Sequence, residues 1–187
     1  MANDPNWRNT SPLFQELWKF SKLTRTWSLM RADEQGDPPP TELASHAAVL
    51  LDNSRILVYG GSGATFGLQS SNKLHVADLN TNKWTMIQYN NEVEDRNIPE
   101  PMYGQAIVFD HDNEKLYVVG GTTGFEYFLD VHAFDWTAKK WTKLSGTLPP
   151  DIEVRYRHEL AFWDNKLYVI GGGAGQRGHD LKTVTNG

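Results

Sequence analysis

The sequence predicts an all-β chain assembled from a repeated four-stranded antiparallel unit, and three observations carry that prediction. RILVYGGSG, KLYVVGGTTG and KLYVIGGGAG are short apolar runs, each closed by a glycine pair: Gly60-Gly61, Gly120-Gly121 and Gly171-Gly172. Trp27, Trp84 and Trp141 recur at a spacing of 57 residues, with Ser21, Asp78 or Asp135 six residues before each. HAAVLLD (46–52), GQAIVFD (104–110) and HELAFWD (158–164) precede the three glycine runs and each ends in Asp. Self-similarity at a period near 50 residues signals a repeat architecture, and it outranks any single motif inside it.

In chain order, Glu16–Leu23 and Thr26–Met30 read as two strands with no glycine-terminated strand before them. The run at 46–52 then turns at Asp52-Asn53-Ser54 into RILVYGG, and the two pair as a hairpin. After a variable loop, Leu74 and Val76 mark a third strand, and the polar turn LNTNK leads to a fourth that opens on Trp84. The next unit repeats this order with GQAIVFD, KLYVVGG, the alternation Val131 and Ala133, WTAKK and Trp141. The last has HELAFWD and KLYVIGG, then LKTVTNG, with room for the start of a third strand and no Trp after it. Four antiparallel strands per repeat make a propeller blade. The paired glycines sit where the chain turns tightly and approaches a neighbour, a place that side chains would block. Each Trp is a large apolar wedge between blades.

The reading is therefore a polar segment over 1–12 and an incomplete propeller over 13–187. It comprises a half blade (13–42), two whole blades (43–101 and 102–154) and a second half blade (155–187). Rings of such blades close at six or so, because each blade buries its faces only against its neighbours. The expectation is that this chain is a piece of a longer ring.

Gly173-Ala174-Gly175-Gln176-Arg177-Gly178 also fits G-x-G-x-x-G, but HDLKTVTNG after it supplies neither the helix nor the acidic residue that a dinucleotide site needs. Those glycines belong to the repeat. A net charge of −5 with acids and bases interspersed gives no basic stripe, so nucleic acid is not the expected partner. The chain has no cysteine, which excludes disulfides, thiolate metal sites and a Cys nucleophile. MANDPNWRNT lacks the apolar core of a signal peptide and no run reaches membrane-spanning length. The expectation is a protein of the cytoplasm, or of cytoplasm and nucleus, with no membrane partner. No H-E-x-x-H or Asp-rich metal loop is present, and Gly60-Gly61-Ser62-Gly63-Ala64 fails G-x-S-x-G at its last position. No enzyme, no catalytic residue, no metal and no cofactor are expected.

A glycine-terminated strand followed by an alternating strand, an aspartate and a tryptophan at this period resembles the kelch-repeat β-propeller family, from Leu13 onward. The fold it implies is an all-β partial kelch propeller of about two complete four-stranded blades flanked by two half blades. PLFQELWKF, TELASHAAVL, MYGQAIVFD, VGGTTGF and RYRHELAF resemble its substrate-receptor branch. That resemblance implies a protein-interaction module, a substrate-recognition adaptor of cullin-2 ubiquitin ligases that binds peptides ending in glycine. The segment that recruits the ligase components is not among these repeats. The alternative is a cytoskeletal or structural kelch module, and a remote one is a sugar-modifying propeller enzyme. Copper-oxidase propellers depend on a Cys–Tyr cross-link that this chain cannot form.

Strands alternate in direction, so the loops after the second strand and the lead-in to each first strand share one face. That face is expected from Ser62–Ser71, Thr122–Phe128 and Gly173–Asp180 together with Leu43–Ser45, Met102–Gln105 and Arg155–Arg157. Long loops on a rigid scaffold are where binding concentrates. The candidate peptide-binding residues are Arg155, Tyr156, Arg157 and Arg177, with Tyr103, Gln105, Ser62, Thr122, Phe125 and Tyr127. Aromatic walls suit a peptide end, and arginine can hold a carboxylate bidentately. By the receptor resemblance, Arg177 and Arg155-Tyr156-Arg157-His158 match the places that contact a terminal carboxylate. Leu43 and Pro101 stand where Arg155 stands, and Gly104 replaces the histidine of His46 and His158. Inter-blade hydrogen bonding is the competing role for Arg155 and His158, and a solvated loop charge is the competing role for Arg177. Phe125, Tyr127 and Phe128 have packing on their own blade as the alternative. His46, His75 and His132 read as strand residues, and NNEVEDRNIPEP as a solvated connector.

Overall fold

A computed structural model describes residues 13–64, 68–92, 95–144 and 152–174. The described residues form twelve strands in four antiparallel sheets, taken strictly in sequence order. β1 (Leu17–Ser21) and β2 (Thr26–Met30) make a two-stranded sheet. β3 (Ala47–Leu50), β4 (Arg55–Ser62), β5 (Ser70–Asp78) and β6 (Trp84–Ile87) make the first four-stranded blade. β7 (Ala106–Asp110), β8 (Lys115–Thr122), β9 (Tyr127–Asp135) and β10 (Lys140–Leu144) make the second. β11 (Glu159–Trp163) and β12 (Lys166–Ile170) close the series as a hairpin. This is the partial propeller expected from the repeat: two whole blades between two halves.

The aspartates of the repeat are turn-formers. Asp78 Oδ1 accepts from the Asn80 and Thr81 amides at 2.8 and 3.0 Å, and Asp135 Oδ1 from Thr137 and Ala138 at 3.1 and 2.8 Å. Ser21 Oγ does the same for Thr24 at 3.3 Å, which explains why serine stands in for aspartate there. Asp52 and Asp110 fold the first hairpin of each blade in the same way.

The core lies between the two whole blades. Leu57, Tyr59, Leu74 and Val76 of one face Phe109, Leu116, Val118, Phe134 and Trp141 of the other. Trp141 reaches back to Tyr59 with ring centroids 5.6 Å apart and stacks obliquely on Phe134 at 5.0 Å. Trp84 likewise sits with Val58 and Ala77 against Leu17 of the preceding half blade. Trp84 and Trp141 thus wedge toward the blade before their own, as the repeat predicts. Trp27 departs from that expectation and is exposed, because no described blade precedes β1 and β2.

The connectors also depart from expectation. Asn91 Oδ1 accepts from the Trp141 amide at 2.7 Å and Asn97 Oδ1 from Lys143 at 3.0 Å, so NNEVEDRNIPEP runs along the outer edge of β10. Asp37 does this for β6, its amide donating to the Trp84 carbonyl at 2.8 Å and its Oδ2 accepting from Met86 at 2.7 Å. The connectors cover outer strands whose bare N–H and C=O groups would otherwise invite pairing.

Candidate functional site

The face expected from the strand directions is assembled by one backbone pattern used in each blade. The lead-in to each first strand bridges the end of a glycine strand in its own blade: Ala44 with Ser62, Tyr103 with Thr122, and Tyr156 with Gly173. The next residue is left-handed in all three, Ser45, Gly104 and Arg157, with φ of 55, 67 and 54°. These three residues are joined across the blades. The Gly104 amide donates to Ser45 O at 2.9 Å, and the Arg157 amide donates to Gly104 O at 2.6 Å.

The glycine pair locks one blade to the next. The Gly61 amide donates to Met102 O and the Gly121 amide to Arg155 O, each at 3.0 Å. A Cβ on Gly60 would meet Gln105 Nε2 and the Met102 carbonyl, and one on Gly120 would meet His158 Cε1 at 2.7 Å. Gln105 Nε2 itself donates to Tyr59 O at 2.9 Å across the blade boundary. His158 takes the same place over Gly120. Burial pulls its pKa down against the opposing pull of the Val119 carbonyl. Neither ring nitrogen completes a hydrogen bond among the described residues, so that carbonyl acts as a nearby dipole.

This geometry corrects the register read from the terminal aspartates. Gln105, not Gly104, is the counterpart of His46 and His158, and Met102, not Pro101, is the counterpart of Arg155.

Several candidate residues are built into the lock. Ser62 and Thr122 are fully buried, and Thr122 Oγ1 donates to Glu126 O at 2.6 Å to hold its own loop. Tyr103 and Gln105 are buried too. Arg155 turns along the sheet, its guanidinium donating to Gly171 O at 3.2 Å. Phe125 is exposed at the loop tip, and Tyr127 packs edge-on against Tyr156 at 5.3 Å between centroids. Arg177 and Phe66 lie outside the described residues.

A cup of about 390 Å³ remains where the first strands of three successive blades converge. Ser45, His46, Gly104, Gln105, Arg157, His158 and Glu159 line it, over Ala47, Ala48, Ala106 and Ile107. Arg157 is exposed, with its guanidinium carbon 5.6 Å from the Tyr156 ring centroid, and it makes no ion pair among the described residues. His46 Nδ1 bonds the Leu43 carbonyl at 2.6 Å, which aligns the ring and leaves Nε2 available. His46 and Glu159 were missed as site residues. The signal for them was their place beside the left-handed position of each repeat.

A larger groove of about 870 Å³ runs between the whole blades, lined by residues including Asn72, Glu92, Asp95, Arg96, Asp130, His132 and Lys143. Within its lining Lys143 pairs with Asp130 at 3.0 Å, and Asp95 accepts from Asn91 and Asn97. Among the described residues, no group of three His, Cys, Asp or Glu is placed to hold a metal ion. Nor, among those residues, is any helix long and apolar enough to cross a membrane.

The comparison with known families decides the affiliation. The profile of the Attractin/LZTR1 β-propeller family matches residues 6–183. The chain belongs to that family. It is 37% identical over 175 residues to Kelch domain-containing protein 10 of Homo sapiens, covering 92% of this chain and 37% of the relative. The Drosophila melanogaster homolog of that protein is 34% identical over 175 residues, covering 92% of this chain and 28% of the relative. Kelch repeat-containing protein 2 of Saccharomyces cerevisiae is 29% identical over 172 residues, covering 82% of this chain and 17% of the relative. The chain thus spans little more than a third of the length of the human relative it matches. It is a kelch-repeat β-propeller interaction module related to the Kelch domain-containing proteins.

Proposed function

We propose that the face carrying the cup binds the C-terminal end of a peptide ligand, with Arg157 as the carboxylate anchor and Tyr156 and Tyr127 as its aromatic wall. The supporting observation is Arg157 itself: a cation that makes no ion pair among the described residues, at the rim of the cup, on backbone fixed by the Gly104 carbonyl. A carboxylate there gains charge-assisted hydrogen bonds worth about 1.5–3 kcal/mol each. His46 Nε2 offers a second polar contact. Glu159 opposes an anion set deep among the first strands, which favours a carboxylate held at the Arg157 rim. Small residues at 47, 48, 104 and 106 suit a terminal glycine, whose backbone can approach closely.

In this reading the chain is the recognition part of a substrate adaptor for a cullin-2 ubiquitin ligase, working in the cytoplasm or in cytoplasm and nucleus. The ligase components engage residues outside these strands. The test is fluorescence polarisation with a labelled peptide ending in glycine, free or amidated. Amidation, and separately Arg157→Ala, should each weaken binding about tenfold to a hundredfold. Binding indifferent to both would refute the anchor. Co-sedimentation with filaments under those conditions would favour the structural kelch module instead.

A further inference from the structure

The groove between the two whole blades contains a buried histidine that the packing leaves without a partner. We propose that this groove is a second recognition site, one that takes an arginine side chain from an extended basic segment of a partner protein.

The site lies on one face of β9. Phe128, Asp130, His132 and Phe134 share that face, so successive members stand about 7 Å apart along the strand. Exposure falls along the series. Phe128 is half-buried, the Asp130 side chain is 39% exposed, His132 is 5% exposed, and Phe134 is fully buried in the core. The first three line the groove. A side chain entering beside Asp130 therefore meets His132 where the core begins.

His132 makes no hydrogen bond among the described residues. Burial lowers its pKa to about 4, with Asp130 pulling the other way and Lys143 adding to the fall. Near neutral pH the ring is uncharged and offers one N–H and one lone pair. A buried polar group left unpaired is costly, so a ligand that donates to that lone pair gains by satisfying it. The first blade has His75 at the equivalent position, opposite Val58 as His132 is opposite Val118, but both His75 ring nitrogens are enclosed. The repeat places a histidine in both strands, and His132 is the one that lines this groove.

Charge selects the ligand. Carboxylates outnumber cations in the lining: Glu92, Asp95, Glu100 and Asp130 stand against Arg96 and Lys143. Lys143 holds Asp130 Oδ2 at 3.0 Å, and Asp130 Oδ1 makes no hydrogen bond among the described residues. An anionic ligand would be repelled by the acidic excess and a cationic one drawn by it. Met102, Ile98, Pro99 and Phe128 supply apolar wall, which suits the long stem behind a charged head. Guanidinium fits better than ammonium. It is more weakly hydrated, and its fork carries enough donors for Asp130 Oδ1 and the His132 lone pair together. The inference does not depend on the peptide-end reading, since no residue lining this groove lines the cup.

The test is fluorescence polarisation of the full chain with a labelled alanine heptapeptide carrying one central arginine. Its C-terminus is amidated, which keeps it from the Arg157 anchor. Citrulline, the neutral isostere, in place of that arginine should bind about tenfold more weakly or worse. Asp130→Asn and Glu100→Lys, both at accessible side chains, should each weaken the arginine peptide about threefold to tenfold. His132→Leu should weaken it about tenfold without lowering the urea midpoint at neutral pH, because the ring has no hydrogen bond to lose. None of the three should change binding of the free glycine-ended peptide. No binding of the arginine peptide, equal binding of the citrulline peptide, or binding unmoved by both Asp130→Asn and Glu100→Lys would overturn the proposal. So would loss of arginine-peptide binding on Arg157→Ala, which would put the peptide in the cup.

Discussion

Gly120 and Gly171 adopt almost the same backbone, φ +64 and +69°, but among the described residues only Gly120 has a neighbour where a Cβ would stand. Replacing each by alanine therefore separates the conformational cost of a left-handed residue from the cost of pushing two blades apart. The conformational part is about 1–2 kcal/mol and common to both. At Gly120 the new methyl would lie 2.7 Å from His158 Cε1, 2.9 Å from Arg155 O and 3.2 Å from Phe128 O. Two of those three atoms are backbone and cannot turn aside, so overpacking adds about 1–3 kcal/mol. Gly120→Ala should lose about 2–5 kcal/mol and Gly171→Ala about 1–2. Urea unfolding followed by tryptophan fluorescence reads the difference. Equal losses would refute the idea that the first glycine of the pair is there for the approaching blade.

Trp141→Ala should cost about 3–5 kcal/mol, since the ring is fully buried against Tyr59 and Phe134, whereas Trp27→Ala, at an exposed ring, should change stability by no more than about 0.5 kcal/mol. The same urea titration compares them. Gln105→Ala should cost about 1–3 kcal/mol by stranding the buried Tyr59 carbonyl, and Gln105→His should recover part of it, because histidine fills this position at His158. Acid should loosen the blades in a defined window. Burial lowers the pKa of His132 to about 4 and those of His75 and His158 in the same direction. The unfolded chain then binds the extra protons, so stability is full above about pH 6.5 and falls as pH drops toward 4. His132→Gln should flatten the urea midpoint between those values, and an unchanged slope would count against it. The lowered carboxylates Asp52, Asp78 and Asp95 act only at more acid pH.

The glycine pairs, the tryptophan period and the aspartate six residues ahead of it were legible because each is a local necessity: a crowded approach, a wedge and a turn. Register was less legible because hairpin loops differ in length. Three residues separate Leu51 from Arg55, four separate Asp110 from Lys115 and two separate Trp163 from Lys166. Aligning on the aspartates therefore put Gly104 where Gln105 belongs. Ser62 and Thr122 read as loop residues because they follow glycine pairs, yet the bulge at Gly60 and Gly120 lets β4 and β8 continue through them. NNEVEDRNIPEP looked solvated by composition. Its asparagines are edge caps, and no property of the segment alone points to a strand almost 50 residues away.

The relay Ser45–Gly104–Arg157 has a mechanical consequence. It ties the backbone of the proposed anchor to two blades other than its own through two amides. Any change in the angle between blades moves Arg157 relative to His46, so the cup works as a gauge of how tightly the blades are fanned. By linkage, a ligand that grips both residues must resist that fanning, and it raises the resistance of the whole array to unfolding as its occupancy rises. Stiffness of the propeller and affinity for its ligand are then two readings of one spring.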